Sequence, residues 1–178
     1  MLCLSRLLLS EGYQPDIVYT SRLKRSVRST WTLLEELESL YLPVYKSWRL
    51  NERSYGALTG LSKIDTAKTL GERTVQAWRN SLRARPPPMK QSDPYYPAND
   101  DRYSDLLPDQ IPLTESLMDA MNRCTPLWEY KIRYDIQNGN NVLVVAHGNT
   151  LRGLIKTIDS VGDRDIEQVV IPRGTSCL

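Results

Sequence analysis

The sequence predicts an α/β fold, a mostly parallel sheet with helices on both faces, and three observations carry that prediction. The run Val142-Leu143-Val144-Val145 is apolar at every position, as in a strand covered on both sides, and not at alternate positions. Strand-like and helix-like segments alternate along the chain, and the helical ones are long enough to cross between parallel strands. The apolar run also stops abruptly at Ala146-His147-Gly148-Asn149, where a helix follows. Ligands of such sheets bind beyond the carboxyl ends of the strands.

Taken in order, residues 2–10 form a Leu-rich helix with Gly12 as its stop, and Asp16–Thr20 form a short strand. Ser21 is placed to cap the next helix. Its apolar positions Leu23, Val27, Trp31, Leu34, Leu37 and Tyr41 recur at steps of three and four, which makes one face. Residues 42–46 read as a second strand, with Pro43 near its start, where a missing amide does least harm. Two helices follow, 62–70 and 72–82, separated by Gly71. From Pro86 to Pro112 the chain carries seven of its 11 prolines and no periodicity, an excursion of the kind that is functional or disordered. A helix is expected from about Thr114 through Leu117, Met121 and Leu127 to about Gln137, although the acid of a full capping box is missing from the spacing at Thr114. Gly139 ends it, and the strand leading to His147 follows. No internal repeat or composition break divides the chain, so residues 1–178 are expected to form one domain.

A chain of this length can bury a core. Its 23 basic and 21 acidic residues nearly cancel, which argues against a general attraction to nucleic acid or to a membrane surface. Cys3, Cys124 and Cys177 are odd in number and widely spaced. No CxxC or His/Cys cluster is present that could hold zinc, so no metal is expected, and a reducing, cytoplasmic compartment is the simplest inference. Arg6 interrupts the apolar amino terminus and Glu11-Gly12 follow without a cleavage site, so a secretory signal is not expected. No apolar stretch approaches the roughly 20 residues a membrane span needs.

Three places carry chemistry. The first is His147, the only histidine, at a strand end. Asn149 is read as the cap of the next helix, whose free amides favour an anion beside the imidazole. The bland alternative is a core histidine bound to a backbone carbonyl. The second is the start of the helix after the first strand, where Arg22, Lys24, Arg25 and Arg28 crowd the first two turns and the first acid is Glu35. That is the wrong sign for the helix dipole, which suggests either a bound anion or a solvated basic face. The third is the loop from Trp48 to Leu61, where Glu52 lies among Arg49, Arg53 and Tyr55. An acid there can move a proton for a reacting hydroxyl, or it can form a surface ion pair.

The strings Thr20-Ser21-Arg22-Leu23-Lys24-Arg25-Ser26, Arg49-Leu50-Asn51-Glu52-Arg53-Ser54-Tyr55-Gly56-Ala57-Leu58-Thr59-Gly60-Leu61, Pro86-Pro87-Pro88-Met89, Glu115-Ser116-Leu117 and Ala146-His147-Gly148-Asn149-Thr150-Leu151-Arg152-Gly153 occur in this order. Together they closely resemble the cofactor-dependent phosphoglycerate mutases of the histidine phosphatase superfamily, from about Gly12 to Gly174.

The resemblance implies phosphoryl transfer between 3-phosphoglycerate and 2-phosphoglycerate, primed by 2,3-bisphosphoglycerate. It also implies small phosphorylated three-carbon acids as ligands and a possible homodimer. His147 matches the family's second active-site histidine, Arg25 the arginine that grips the moving phosphoryl group, and Glu52 the acid/base residue. Arg53, Tyr55, Lys63 and Arg79 fall on substrate-binding positions, as do Gly148 and Asn149 after the histidine. Asn80 stands where the family often has a second arginine. Family members open with a strand ending in Arg-His-Gly, whose histidine is the nucleophile, and this chain has neither that segment nor a second histidine. It leaves the family pattern again after Pro172-Arg173-Gly174. The fold expected is therefore phosphoglycerate mutase-like without the family's first strand, truncated at both ends, with neighbouring strands left unpaired or drawn together. The chain as written is expected to show no mutase turnover. Its alternatives are a non-catalytic phosphometabolite-binding or regulatory protein, or a nonfunctional copy.

Overall fold

The computed structural model describes residues 2–171, apart from the side chains of Leu2, Cys3 and Lys63. Three strands, β1 (Ile17–Thr20), β2 (Val44–Lys46) and β3 (Val142–Val145), form a parallel sheet in the order β2-β1-β3. Val18 pairs with both Val44 and Leu143, and Thr20 with both Lys46 and Val145. All three strands run the same way, so their carboxyl ends form one edge, and that edge holds the site.

The helices are α1 (Leu2–Ser10), α2 (Lys24–Glu36), α3 (Lys63–Leu70), α4 (Glu72–Asn80), α5 (Leu117–Leu127), α6 (Arg133–Gln137) and α7 (Gly148–Ile158). Alternation along β3 sends its side chains to two layers. Leu143 and Val145 meet Leu4 and Leu8 of α1 and Leu33 of α2. Val142 and Val144 join Tyr19, Cys124, Leu154 and Leu151, beneath α5 and α7. Helices therefore cover both faces, as the apolar run implies. Gly153 lets α5 and α7 approach closely, since a Cβ there would lie 3.3 Å from that of Met121.

Several elements differ from the sequence expectation. The buried side of α2 is Ser26, Thr30, Leu33 and Leu34, while Trp31 is 40% exposed and Tyr41, beyond the helix end, 83%. The hydroxyls of Thr20 and Ser26 both donate to the Val145 carbonyl, at 2.8 and 2.6 Å, and Thr30 donates to the Ser26 carbonyl, so small polar groups fill the space under the helix. The helix ends where Glu38 adopts φ +53° and Ser39 N–H reaches back to Leu34 O, a left-handed stop made without glycine. Neither Ser21 nor Asn149 is a cap: Leu23 and His147 occupy the N-cap positions of α2 and α7, without side-chain capping bonds. The second strand omits residues 42 and 43, and α4 stops at Asn80 because Ser81 is extended.

The long helix expected from Thr114 starts instead at Leu117, where Ser116 and Asp119 form a reciprocal capping box two residues downstream. It is also not continuous. Pro126 removes an amide from α5, the turn Trp128–Ile132 widens to π geometry, and α6 follows. The proline-rich segment contains short 3₁₀ turns at Pro97–Asn99, Asp101–Tyr103 and Pro108–Gln110.

The Val142–Val145 run is only partly buried, although its composition suits full cover. Among the described residues β3 pairs with β1 alone, so its outer edge is open, and an extended cleft of 2070 Å³ runs from that edge to His147 and the loop at Glu52.

Candidate active site

His147 follows β3 and stands at the N-cap of α7, with the residue 3% exposed. Arg25 Nη2 donates to Nδ1 at 2.8 Å, and because a guanidinium has no acceptor, Nδ1 carries the lone pair. The proton therefore sits on Nε2, which donates to Ser21 Oγ at 2.8 Å. Burial, then the positive charges of Arg25 and Arg123, push the imidazole down from 6.5 to about 4, so it is neutral at physiological pH. The core-histidine alternative does not describe it: among the described residues the ring's partners are two side chains and no backbone carbonyl.

The basic start of α2 divides by task. Arg22 turns away to Asp105 through two parallel bonds of 2.5 and 2.7 Å, while its backbone N–H donates to Asn51 Oδ1. Arg25 turns inward and remains 73% exposed while also standing 3.6 Å from Glu52 Oε2. An exposed guanidinium can exchange these partners for an anion at little cost in burial.

The loop carrying Glu52 is fixed from below by a buried pair that sequence reasoning missed. Arg123 Nε and Glu115 Oε1 are 2.6 Å apart. The same guanidinium donates to the carbonyls of Arg49, Asn51 and Glu52, at 2.5, 2.8 and 3.3 Å. Glu115 in turn accepts from Ser54 N–H at 2.8 Å and donates its own amide to the Ser54 carbonyl. A readable signal existed: Arg123 interrupts the apolar stripe Leu117, Ala120, Cys124, Leu127. Gly56 closes the loop at φ +55°, where a Cβ would meet the Pro87 carbonyl oxygen at 2.1 Å.

The loop and α7 then converge. Asn149 Nδ2 donates to Glu52 Oε1 at 3.1 Å and to Tyr55 OH at 2.9 Å. The Tyr55 ring is within cation–π reach of both Arg53 and Arg79, whose guanidinium carbons are 4.9 and 5.6 Å from its centroid. Arg53 is only 2% exposed, and its Nε and Nη1 have no hydrogen-bond partner among the described residues. Thus Glu52, Arg53, Tyr55, Arg79, Asn149, Arg25 and His147 share one cleft, and Gly148 lines it. Lys63 begins α3 behind the cap Ser62, and its side chain lies outside the described residues, as does Arg173. Arg152 also lines the cleft and was not among the sequence candidates. It lies three residues after Asn149 and so on the same side of α7.

Cys124 is buried, bonds to the Arg49 carbonyl, and is raised by burial to about 11, so it offers no thiolate at neutral pH. No group of three or more His, Cys, Asp or Glu residues suited to a metal ion occurs among the described residues. No helix among them is long and apolar enough to cross a membrane. Chemically, the cleft offers positive charge, a neutral imidazole and a carboxylate within reach of one ligand.

The fold has counterparts among solved structures. The native structure of mycobacterial glucosyl-3-phosphoglycerate phosphatase superposes with a TM-score of 0.65 at 18% identity, covering 94% of this chain and 69% of that one. The α-ribazole phosphatase of Shigella flexneri gives 0.59 at 19%, covering 96% and 69%. Mycobacterial hydrolase 1 gives 0.65 at 18%, covering 94% of this chain, which spans 66% of that structure's length. At these identities the likeness is one of fold. The model of the histidine phosphatase superfamily, branch 1, matches residues 5–177. With nearly every residue inside that match, the chain belongs to branch 1 of the histidine phosphatase superfamily, whose members are phosphatases and phosphotransferases.

Proposed function

We propose that this chain carries the substrate side of a phosphoryl-transfer site of the phosphoglycerate mutase kind, and that the 178 residues by themselves bind phosphorylated three-carbon acids without turning them over. A single observation carries the reading. Glu52 is held between Arg25 and Asn149, beside His147 and a buried Arg53 with unused donors.

A phosphoryl group entering the cleft draws Arg25 Nη2 away from His147 Nδ1, since two or three phosphoryl oxygens outbid one neutral lone pair. The freed imidazole accepts a proton under the influence of that anion and becomes a second cation against it. Glu52 accepts a hydrogen bond from the substrate hydroxyl next to the phosphoryl group, the position from which it would take or return a proton if that group moved. Arg53, Tyr55 and Arg79 hold the rest of the acid. The cations fit 2,3-bisphosphoglycerate as a polyanion, and when bound it would supply a phosphoryl group. His147 is the chain's one imidazole and its match is to the phosphate-holding position, so no priming step is drawn through it. A cytoplasmic setting and assembly as a homodimer belong to the same proposal.

Calorimetry with 3-phosphoglycerate tests this. Dissociation constants at or below about 1 mM are expected, weakened at least about tenfold by Arg25→Ala, with no product formed. A folded sample that binds nothing, or one that turns substrate over, overturns it. A second reading is hydrolysis of a larger phosphoglycerate ester, for which the cleft has room beyond Glu52 and His147. Phosphate release from glucosyl-3-phosphoglycerate would select it.

A further inference from the structure

Residues 90–112 form a loop pinched at its base, where Met89 N–H donates to the Leu113 carbonyl at 3.0 Å. None of residues 90–114 is buried. The backbone hydrogen bonds within the loop join residues three apart, as in Tyr96 N–H to Asp93 O and Tyr103 N–H to Asp100 O, so they give it shape without tying it to the body. A segment with so little apolar burial opens at a low free energy. Yet it forms one wall of the cleft, where Tyr95, Asp100, Asp101 and Tyr103 line the same space as Arg25 and Arg53.

Side chains supply the ties. Arg22 grips the loop twice, donating Nη1 to the Arg102 carbonyl at 2.9 Å and both terminal nitrogens to the Asp105 carboxylate at 2.5 and 2.7 Å. Asn51 Nδ2 donates to Tyr103 OH at 3.0 Å, and Tyr95 lies against Gly60, where a Cβ would stand 2.6 Å from its ring. Both gripping residues adjoin the phosphoryl seat: Arg22 follows Ser21, which bonds to His147, and Asn51 precedes Glu52. Latch and seat therefore share a backbone.

The loop also carries charge of the ligand's sign. It has five aspartates against Lys90 and Arg102, and Arg102 is already forked onto Asp100. Its bond to Arg102 holds the Asp100 carboxyl below the usual carboxylate range, with Lys24 adding to the effect, and the bond to Arg22 does the same for Asp105. Both are ionised at neutral pH. A closed loop thus sets carboxylate charge beside the cleft's cations, where it opposes an incoming anion over the roughly 10 Å reach of such forces at moderate salt.

We infer that residues 90–112 are an autoinhibitory flap on the phosphoryl seat: the Arg22–Asp105 and Asn51–Tyr103 contacts hold it closed, and an anionic ligand enters as they release. The inference rests on the phosphoryl-site reading for the identity of the anion. Only molecules with the flap open bind, so the apparent affinity scales with their fraction.

Trypsin reports the open form on the full 178-residue chain. The carbonyl of Arg102 is held by Arg22 and its side chain by Asp100, so the Arg102–Tyr103 bond is cut in molecules that have opened, at a rate that tracks their population. Asp105→Asn removes the charge from an exposed ion pair and should speed that cleavage about three- to tenfold, as read by mass spectrometry of the fragments. Tyr103→Phe, which deprives Asn51 of its acceptor, should act in the same direction. Sodium phosphate should speed cleavage relative to sodium chloride at equal ionic strength, and Arg25→Ala should abolish that difference. Unchanged cleavage in either flap variant overturns the proposal. Cleavage slowed by phosphate overturns it too, since that describes a lid closed by its ligand. Calorimetry with inorganic phosphate separates the flap from the reading beneath it. Asp105→Asn should bind phosphate about three- to tenfold more tightly than the unaltered chain. Equal affinities reject the flap and leave the seat, whereas no binding to either chain rejects the seat and the flap with it.

Discussion

Acidifying the protein from pH 7.5 to 4.5 should destabilise it through one identifiable group. In the folded chain His147 titrates at about 4 against an ordinary value of 6.5, because burial and the nearby Arg25 and Arg123 disfavour the imidazolium. Between those two values the unfolded chain binds a proton that the folded chain does not, so stability falls as the pH falls through that window. The slope approaches about 1.4 kcal/mol per pH unit, and the loss over the whole interval is about 3 kcal/mol, a large share of a typical domain's stability. Urea denaturation at pH 7.5, 6.0 and 5.0 measures it. His147→Gln keeps a neutral hydrogen-bonding side chain and should flatten the curve in that range. The direct readout is magnetic resonance: with one histidine in the chain, the imidazole carbon-bound protons need no assignment by mutation. Inorganic phosphate should shift the midpoint upward, since an anion beside the ring favours its charged form. A midpoint near 6.5 without phosphate, or an unchanged urea profile in His147→Gln, would refute the reasoning.

Other consequences follow from packing and chemistry. Arg123→Ala leaves Glu115 buried without its partner and should cost about 3–5 kcal/mol in urea denaturation, whereas the double change Glu115→Gln with Arg123→Met should cost less. Gly56→Ala forces a Cβ against the Pro87 carbonyl at a left-handed φ, so stability should drop by at least about 1 kcal/mol and ligand affinity with it, as calorimetry would record. Cys124, raised to about 11 by burial, should resist iodoacetamide at pH 7.5 in the native state and react fully in urea, as read by mass spectrometry of the peptide that carries it.

How much could be read in advance depended on what kind of interaction decided each element. β1 and β3 were visible because unbroken apolar runs have few other uses, and the pairing of Glu52 with the Arg25 and His147 segments followed from five strings in one order. The phase of α2 was misread because Ser26 and Thr30 are inside. Their hydroxyls are satisfied by the carbonyls of Val145 and Ser26, and nothing local distinguishes them from exposed ones. Asn149 looked like a cap since asparagine often is one, but its amide is drawn to Glu52 and Tyr55 on a segment almost a hundred residues earlier. Arg123 and Arg152 were missed for the same reason. A buried arginine is defined by partners that only the fold assembles.

The open outer edge of β3 bears on how the site moves. A strand anchored on one side opens locally at a lower free energy than one anchored on both, and β3 is the strand that delivers His147. Its outward amides should exchange with deuterated solvent faster than those of β1 between its two neighbours. An anion bridging Arg25 and the imidazole would join the tip of β3 to α2, so ligand binding and local unfolding draw on the same equilibrium. Protection at β3 should therefore rise with phosphate concentration, while that of β1 stays near its unliganded level.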